Sequence, residues 1–154
     1  MSATTTSIPD LARRARSVSP VLARASTDLK DAALLAAADR LEADVGDLLA
    51  ANADDVARGE ADGMTTSFLD RLRLDSDRIA SMASGLRQIA ELPDPVGRVT
   101  AEWIRPNGLH FTKVRVPLGV VAIIYENRPN VTSDAFGLCL KAGNVAFLRG
   151  SSGA

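Results

Sequence analysis

The chain has 154 residues, of which 46% are hydrophobic and 24% charged, so it can bury one core and sits within ordinary globular composition. Lys and Arg number 18 against 19 Asp and Glu, a formal net charge of -1, which offers nucleic acid no general electrostatic attraction. The longest apolar run, Val120 to Tyr125, is far short of the roughly 20 residues that cross a bilayer.

One cysteine excludes an internal disulfide, and the N-terminus lacks the apolar stretch of a secretory signal, so a reducing, cytoplasmic setting is expected. Arg13, Arg14 and Arg16 in a Ser/Thr-rich leader have the composition of an organellar transit peptide. A first helix with a solvated basic face is preferred.

Residues 1–98 read as a helical region. Pro9-Asp10 opens a short helix through Val18, which Ser19-Pro20 is expected to interrupt. From Ser26 or Thr27, either of which can cap, a long helix is predicted from Leu34, Ala38, Leu41, Val45 and Leu48, which form one apolar stripe. Asp39, Arg40, Glu42 and Asp44 are left to water. The stretch RGEADGMTT, with Gly59 and Gly63, reads as a connection. A further helix is predicted from Asp75 or Ser76, with Ile79, Met82, Leu86 and Ile89 as its core face and Pro93-Asp94-Pro95 as its end.

Residues 99–154 change character. Pro106-Asn107-Gly108 lies between strand-like runs at 99–105 and 109–116 and predicts a β-hairpin whose second arm, Thr112, Val114 and Val116 alternating with Lys113 and Arg115, buries one face. His110, the only histidine, has no acid or thiol near it in sequence and reads as structural or surface. Val120 to Tyr125 has no polar interruption and predicts a parallel strand covered on both faces. A helix capped by Asn130 or Thr132 follows, running to about Ala142 with Gly143 as its stop, and 144–149 resumes strand character. The class is α/β: N-terminal helices, a hairpin and one βαβ unit. Such a unit brings 126–130 and 150–153 to one carboxyl edge, where ligands of open α/β sheets bind. Cys139, in mid-helix, reads as a small buried hydrophobe.

Neither a G-x-G-x-x-G fingerprint nor a P-loop is present, and one Cys with one His makes no metal site. Three stretches carry a resemblance: LLAANADDV (48–56), LDRLRL (69–74) with LPDPVG (92–97), and VPLGVVAIIYENRPNVTSDAFGLCLKAGNVAFLRG (116–150). Together they are similar to the N-terminal part of the gamma-glutamyl phosphate reductase family, within the aldehyde dehydrogenase superfamily. The likeness extends over almost everything from Leu34 onward.

The resemblance implies NADPH-dependent reduction of L-glutamyl 5-phosphate to L-glutamate 5-semialdehyde in proline biosynthesis. Its route is attack by a cysteine thiolate and hydride delivery to the resulting thioester. It also implies roles for residues. Asn127 falls where the superfamily carries an oxyanion-binding amide, and Glu126, Arg128 and Asn130 share its loop as substrate-binding candidates. Arg149, Gly150 and Ser151 occupy the cofactor position, although Ser151, Ser152 and Gly153 replace the last three residues of the family's G-G-S-E. The implied fold is the beginning of an aldehyde-dehydrogenase-type cofactor domain.

Family chains are considerably longer, so a fragment without the catalytic domain and nucleophilic cysteine is expected, inactive by itself. Glutamate kinase is the expected preceding partner, and a homo-oligomer the expected assembly of a complete chain. The competing readings are a non-catalytic association module and a piece of another aldehyde dehydrogenase.

Overall fold

A computed structural model describes residues 7–126 and 128–150. Five helices come first: α1 (Ile8–Leu22), α2 (Thr27–Ala43), α3 (Val45–Ala61), α4 (Thr66–Leu72) and α5 (Ser76–Glu91). An antiparallel hairpin, β1 (Val99–Ile104) with β2 (His110–Val114), separates them from a unit of β3 (Val120–Ile124), α6 (Pro129–Lys141) and β4 (Val145–Arg149). In that unit β3 and β4 pair in parallel. The mixed α/β class and the βαβ unit agree with the sequence reading.

Several boundaries differ, each for a local reason. Helix α1 runs through Pro20 instead of stopping. The carbonyl that Pro20 cannot serve belongs to Arg16, and the Ser19 hydroxyl donates to it at 3.0 Å. The long helix expected after Ser26 is two helices, because Asp44 leaves helical geometry at φ -99°, ψ 18° and ends α2. Ser26 caps α2 as expected, accepting from Leu29 N–H at 3.2 Å. Gly59 is a buried residue within α3, not part of a connection. A Cβ there would come within 2.9 Å of Met64 Sδ, so the glycine lets α3 lie close against the segment that leads into α4.

The acidic face of α2 is also not simply solvated. Arg87 of α5 reaches Glu42 at 2.7 Å and Asp39 at 2.8 Å, pinning the two helices together at the surface. Its hydrogen bonds hold the Glu42 carboxyl below the usual range.

The core lies where α2, α5 and α6 meet. Leu34 and Ala38 pack with Ala83, Leu86 and Ile89, and Phe136 and Leu140 cover them from α6. Ile79, Met82, Leu86 and Ile89 are all buried, as their spacing predicts. Gly137 lets α6 approach closely, since a Cβ there would stand 2.8 Å from Leu86 Cδ2 and 2.9 Å from Ile89 Cδ1.

Two lysines are buried beside this core. Lys30, only 1% exposed, pairs with Asp94 at 2.5 Å and donates to the Lys141 carbonyl at 3.2 Å. Lys141, 4% exposed, pairs with Asp31 at 2.5 Å and donates to the Ala90 carbonyl at 2.7 Å. The two ammonium groups thereby join the first turn of α2, the end of α5 with its following loop, and the last turn of α6.

The sheet elements are less covered than expected. Both arms of the hairpin are exposed throughout, so no face of β2 is buried among the described residues. Its cohesion comes from pairing and from Trp103 stacked on Phe111, with ring centroids 5.4 Å apart. Along β3 only Val121 and Ile123 are half-buried, and Ile124 is 77% exposed. Helices α1 and α6 pack on this sheet but leave alternate β3 side chains exposed.

Burial by itself would raise the pKa of Asp94, but hydrogen bonds from Lys30, Thr27 and the Val96 N–H, with the Lys30 charge, hold it below the ordinary value. A depressed carboxylate pKa contributes stability above the unfolded value, about 3.9, and loses it as the pH falls through the folded one. Chemical denaturation should show stability falling below about pH 4, with Asp94→Asn flattening that dependence. At neutral pH, Lys30→Met leaves Asp94 unpaired and should cost about 3–5 kcal/mol.

Candidate functional site

The carboxyl edge of the β3–β4 pair is built by register. Gly119 N–H donates to the buried Asn144 side chain at 2.9 Å, while Val145 N–H donates back to the Gly119 carbonyl at 2.8 Å. Gly119 has φ +108°, a geometry that other residues adopt only with strain. This clamp sets Val120 opposite Val145 and therefore Ile124 opposite Arg149. Tyr125 N–H then donates to the Arg149 carbonyl at 3.1 Å, so both strands end at one level. The Ala142-Gly143-Asn144 segment before β4 thus has a structural role, in which Asn144 aligns the edge.

Helix α6 begins at that edge. Arg128 is its N-cap, with extended geometry at φ -136°, ψ 92°, and Pro129 is its first residue. Neither Asn130 nor Thr132 caps it, contrary to expectation. Asn130 instead donates to Asp134 at 3.2 Å, and Thr132 shares a 2.6 Å hydrogen bond with the Tyr125 hydroxyl. Among the described residues no side chain caps the first turn. Gly143 ends the helix at φ +71°, as predicted.

Glu126, Arg128 and Asn130 are all exposed at this edge, and so is Arg149, with Gly150 following it. Asn127 and Ser151 lie outside the described residues. The structure therefore brings the described candidates, Glu126, Arg128 and Asn130 with Arg149 and Gly150, to one end of the sheet. His110 is exposed on the hairpin, in keeping with a surface role. Cys139 is buried in α6, and burial raises its thiol pKa. Among the described residues no group of His, Cys, Asp and Glu is arranged to hold a metal.

A cleft of about 430 Å³ opens between Arg128–Asn130 and the α4–α5 segment, lined there by Arg71, Arg73 and Arg78. Its arginines are not equivalent. Arg78 donates to the Arg73 carbonyl at 2.6 Å and to Asp70 at 3.1 Å. Arg73 lies 3.7 Å from Glu60. Arg71 sits over the Phe68 ring at 5.7 Å and, like Arg128, has no carboxylate partner among the described residues. This wall is not among the sites expected from the sequence. Its signal was the cluster of three arginines in RLRLDSDR ending at 78, two of them flanking the buried Leu72.

Asn52 fixes the wall in place. Its buried side chain donates to the Leu72 carbonyl at 2.9 Å and accepts from Leu74 N–H at 2.7 Å, so α3 holds the end of α4.

The same order of elements is found in solved enzymes. A crystal structure of gamma-glutamyl phosphate reductase from Thermotoga maritima aligns over 92% of this chain and 34% of its own, with a TM-score of 0.88 and 40% identity. That from Saccharomyces cerevisiae aligns over 96% of this chain and 38% of its own, with a TM-score of 0.90 and 32% identity. Curated sequences agree. The likeness is to the N-terminal part of gamma-glutamyl phosphate reductase.

The gamma-glutamyl phosphate reductase of Parvibaculum lavamentivorans is 60% identical over 91% of this chain, and that of Mesorhizobium japonicum 59% identical over 93%. Each alignment takes in 33% of the relative, so the chain spans about a third of the length of the curated relatives it matches. No family model matches the chain.

The burial of Cys139 has a measurable consequence. In the folded chain its thiol should react with a maleimide or disulfide reagent at least about tenfold more slowly than in urea. Equal rates in the two states would place the thiol at the surface.

Proposed function

We propose that this chain is the N-terminal part of an NADPH-dependent reductase that converts L-glutamyl 5-phosphate to L-glutamate 5-semialdehyde in proline biosynthesis. The observation that carries the reading is the shared carboxyl edge, where the α6 N-terminus, Arg128 and Asn130 stand beside Arg149, in a chain that aligns with reductases of that name. Residues 99–154 are read as the start of the cofactor domain and residues 1–98 as the helical region beside it.

The cofactor would supply hydride. On this chain Arg149 suits its recognition, because an exposed guanidinium with no ion pair among the described residues is free to meet a phosphate. Gly150 beyond it leaves room for close approach. Glu126, Arg128 and Asn130 are assigned to substrate binding, and Asn127 to donating to the carbonyl oxygen as negative charge develops there. The nucleophilic thiol of the family's route is not Cys139. That group is buried within a helix, and its raised pKa keeps it protonated.

Arg149→Ala in a complete reductase carrying this sequence should reduce the preference for NADPH over NADH about ten- to hundredfold, the worth of a charge-assisted pair. An unchanged ratio of kcat/KM for the two cofactors would remove Arg149 from cofactor selection.

Asn127→Ala and Asn130→Ala separate a transition-state loop from a plain turn. Loss of an oxyanion donor costs about 2.7–4 kcal/mol, roughly a hundred- to thousandfold in kcat. Turnover within about threefold in both variants would mean that the loop is structural.

A further inference from the structure

We propose that Arg71 and Arg128 clamp the α-carboxylate of the substrate while Asp134 faces its α-ammonium group, so that the arginine-lined cleft recognises the amino-acid end of the molecule. This rests on the reductase reading above and assigns one end of its substrate. The two residues come from different elements, Arg71 from the last turn of α4 and Arg128 from the N-cap of α6, yet both line this cleft and also the adjoining one beside Tyr125 and Glu126. Both are exposed.

The other arginines of the cleft are engaged, Arg78 by Asp70 and backbone carbonyls and Arg73 near Glu60. Arg71 and Arg128 have no carboxylate partner among the described residues, and two planar forks that line one cleft from separate elements suit a carboxylate. The first turn of α6, which no side chain caps among the described residues, adds N–H donors at the same mouth.

The carboxylates of the cleft decide between an amino acid and a phosphate. Asp70 is already paired with Arg78. Asp134 is met only by the neutral Asn130 amide, so its charge is uncompensated among the described residues. A phosphate dianion would be repelled by Asp134, whereas an α-ammonium group would neutralise it. Two guanidinium groups without a carboxylate partner and one carboxylate without a cation, among the described residues, complement a zwitterion. A volume of about 430 Å³ is ample for a small amino acid.

The reverse reaction separates the two ends of the substrate, because glutamate 5-semialdehyde and inorganic phosphate then arrive as different molecules. In a complete reductase carrying this sequence, Arg71→Ala and Arg128→Ala should each raise KM for the semialdehyde about ten- to hundredfold. KM for phosphate should stay within about threefold. Arg128→Lys, which keeps the charge and loses the fork, should fall between the wild type and Arg128→Ala.

A rise in KM for phosphate instead would overturn the assignment and make this the phosphate site. Unchanged KM for both substrates would overturn the clamp. Absence of turnover in the unsubstituted enzyme would overturn the reductase reading itself, and the clamp with it.

Discussion

The structure depends on the partnering of two buried ammonium groups. Lys30 and Lys141 are almost wholly removed from water, and an unpaired ammonium there would cost several kcal/mol. Each is satisfied by one carboxylate and one backbone carbonyl drawn from another element. Because the Lys141 carbonyl accepts from Lys30 while the Lys141 ammonium reaches Asp31 and Ala90, α6 cannot slide or rotate against α2 and α5 without breaking both sets. The close approach at Gly137 adds a steric limit to the electrostatic one.

That anchorage acts at a distance. Lys141 is the last residue of α6 and Arg128 its N-cap, so a helix of 13 residues, roughly 20 Å long, carries the position of the buried cluster to the candidate site. Two buried asparagines complete the placement. Asn144 sets the sheet register and so the level of Arg149, and Asn52 holds the end of α4 where Arg71 and Arg73 project. Rigid elements therefore position all three sides of the edge, while the residues with free chemistry stand on loops and helix ends.

Charge is used in two ways in the same small molecule. Where it is buried it is paired, as at Lys30 and Lys141, or in part at the surface, as between Arg87 and the α2 acids. At the α4–α6 cleft Arg71, Arg128 and Asp134 have no such pairing among the described residues. The sheet shows a parallel contrast. Trp103, Ile104, Phe111, Leu118 and Ile124 are exposed apolar side chains on or beside strands whose sequence patterns call for cover.

The sequence by itself determined the elements whose cause is local. The spacing of Ile79, Met82, Leu86 and Ile89 places α5, Gly143 stops α6, and the strand-helix-strand order of 120–149 yields a parallel pair with both loops at one edge. The resemblance of the same stretch identified the enzymes it aligns with. Local pattern failed where a hydroxyl replaced a missing N–H at Pro20, or where one residue, Asp44, divided a continuous apolar stripe. Tertiary structure alone decided the rest. Lys30, Asp94 and Lys141 look like surface residues in sequence, and only the meeting of α2, α5 and α6 makes them a buried cluster. Arg71 and Arg128 are separated by 57 positions in the chain, so no periodicity relates them. They share a cleft because Asn52 fixes one wall and the two lysines fix the helix that carries the other. Contacts between residues distant in sequence are set by packing, and packing has no signature in any single stretch of chain.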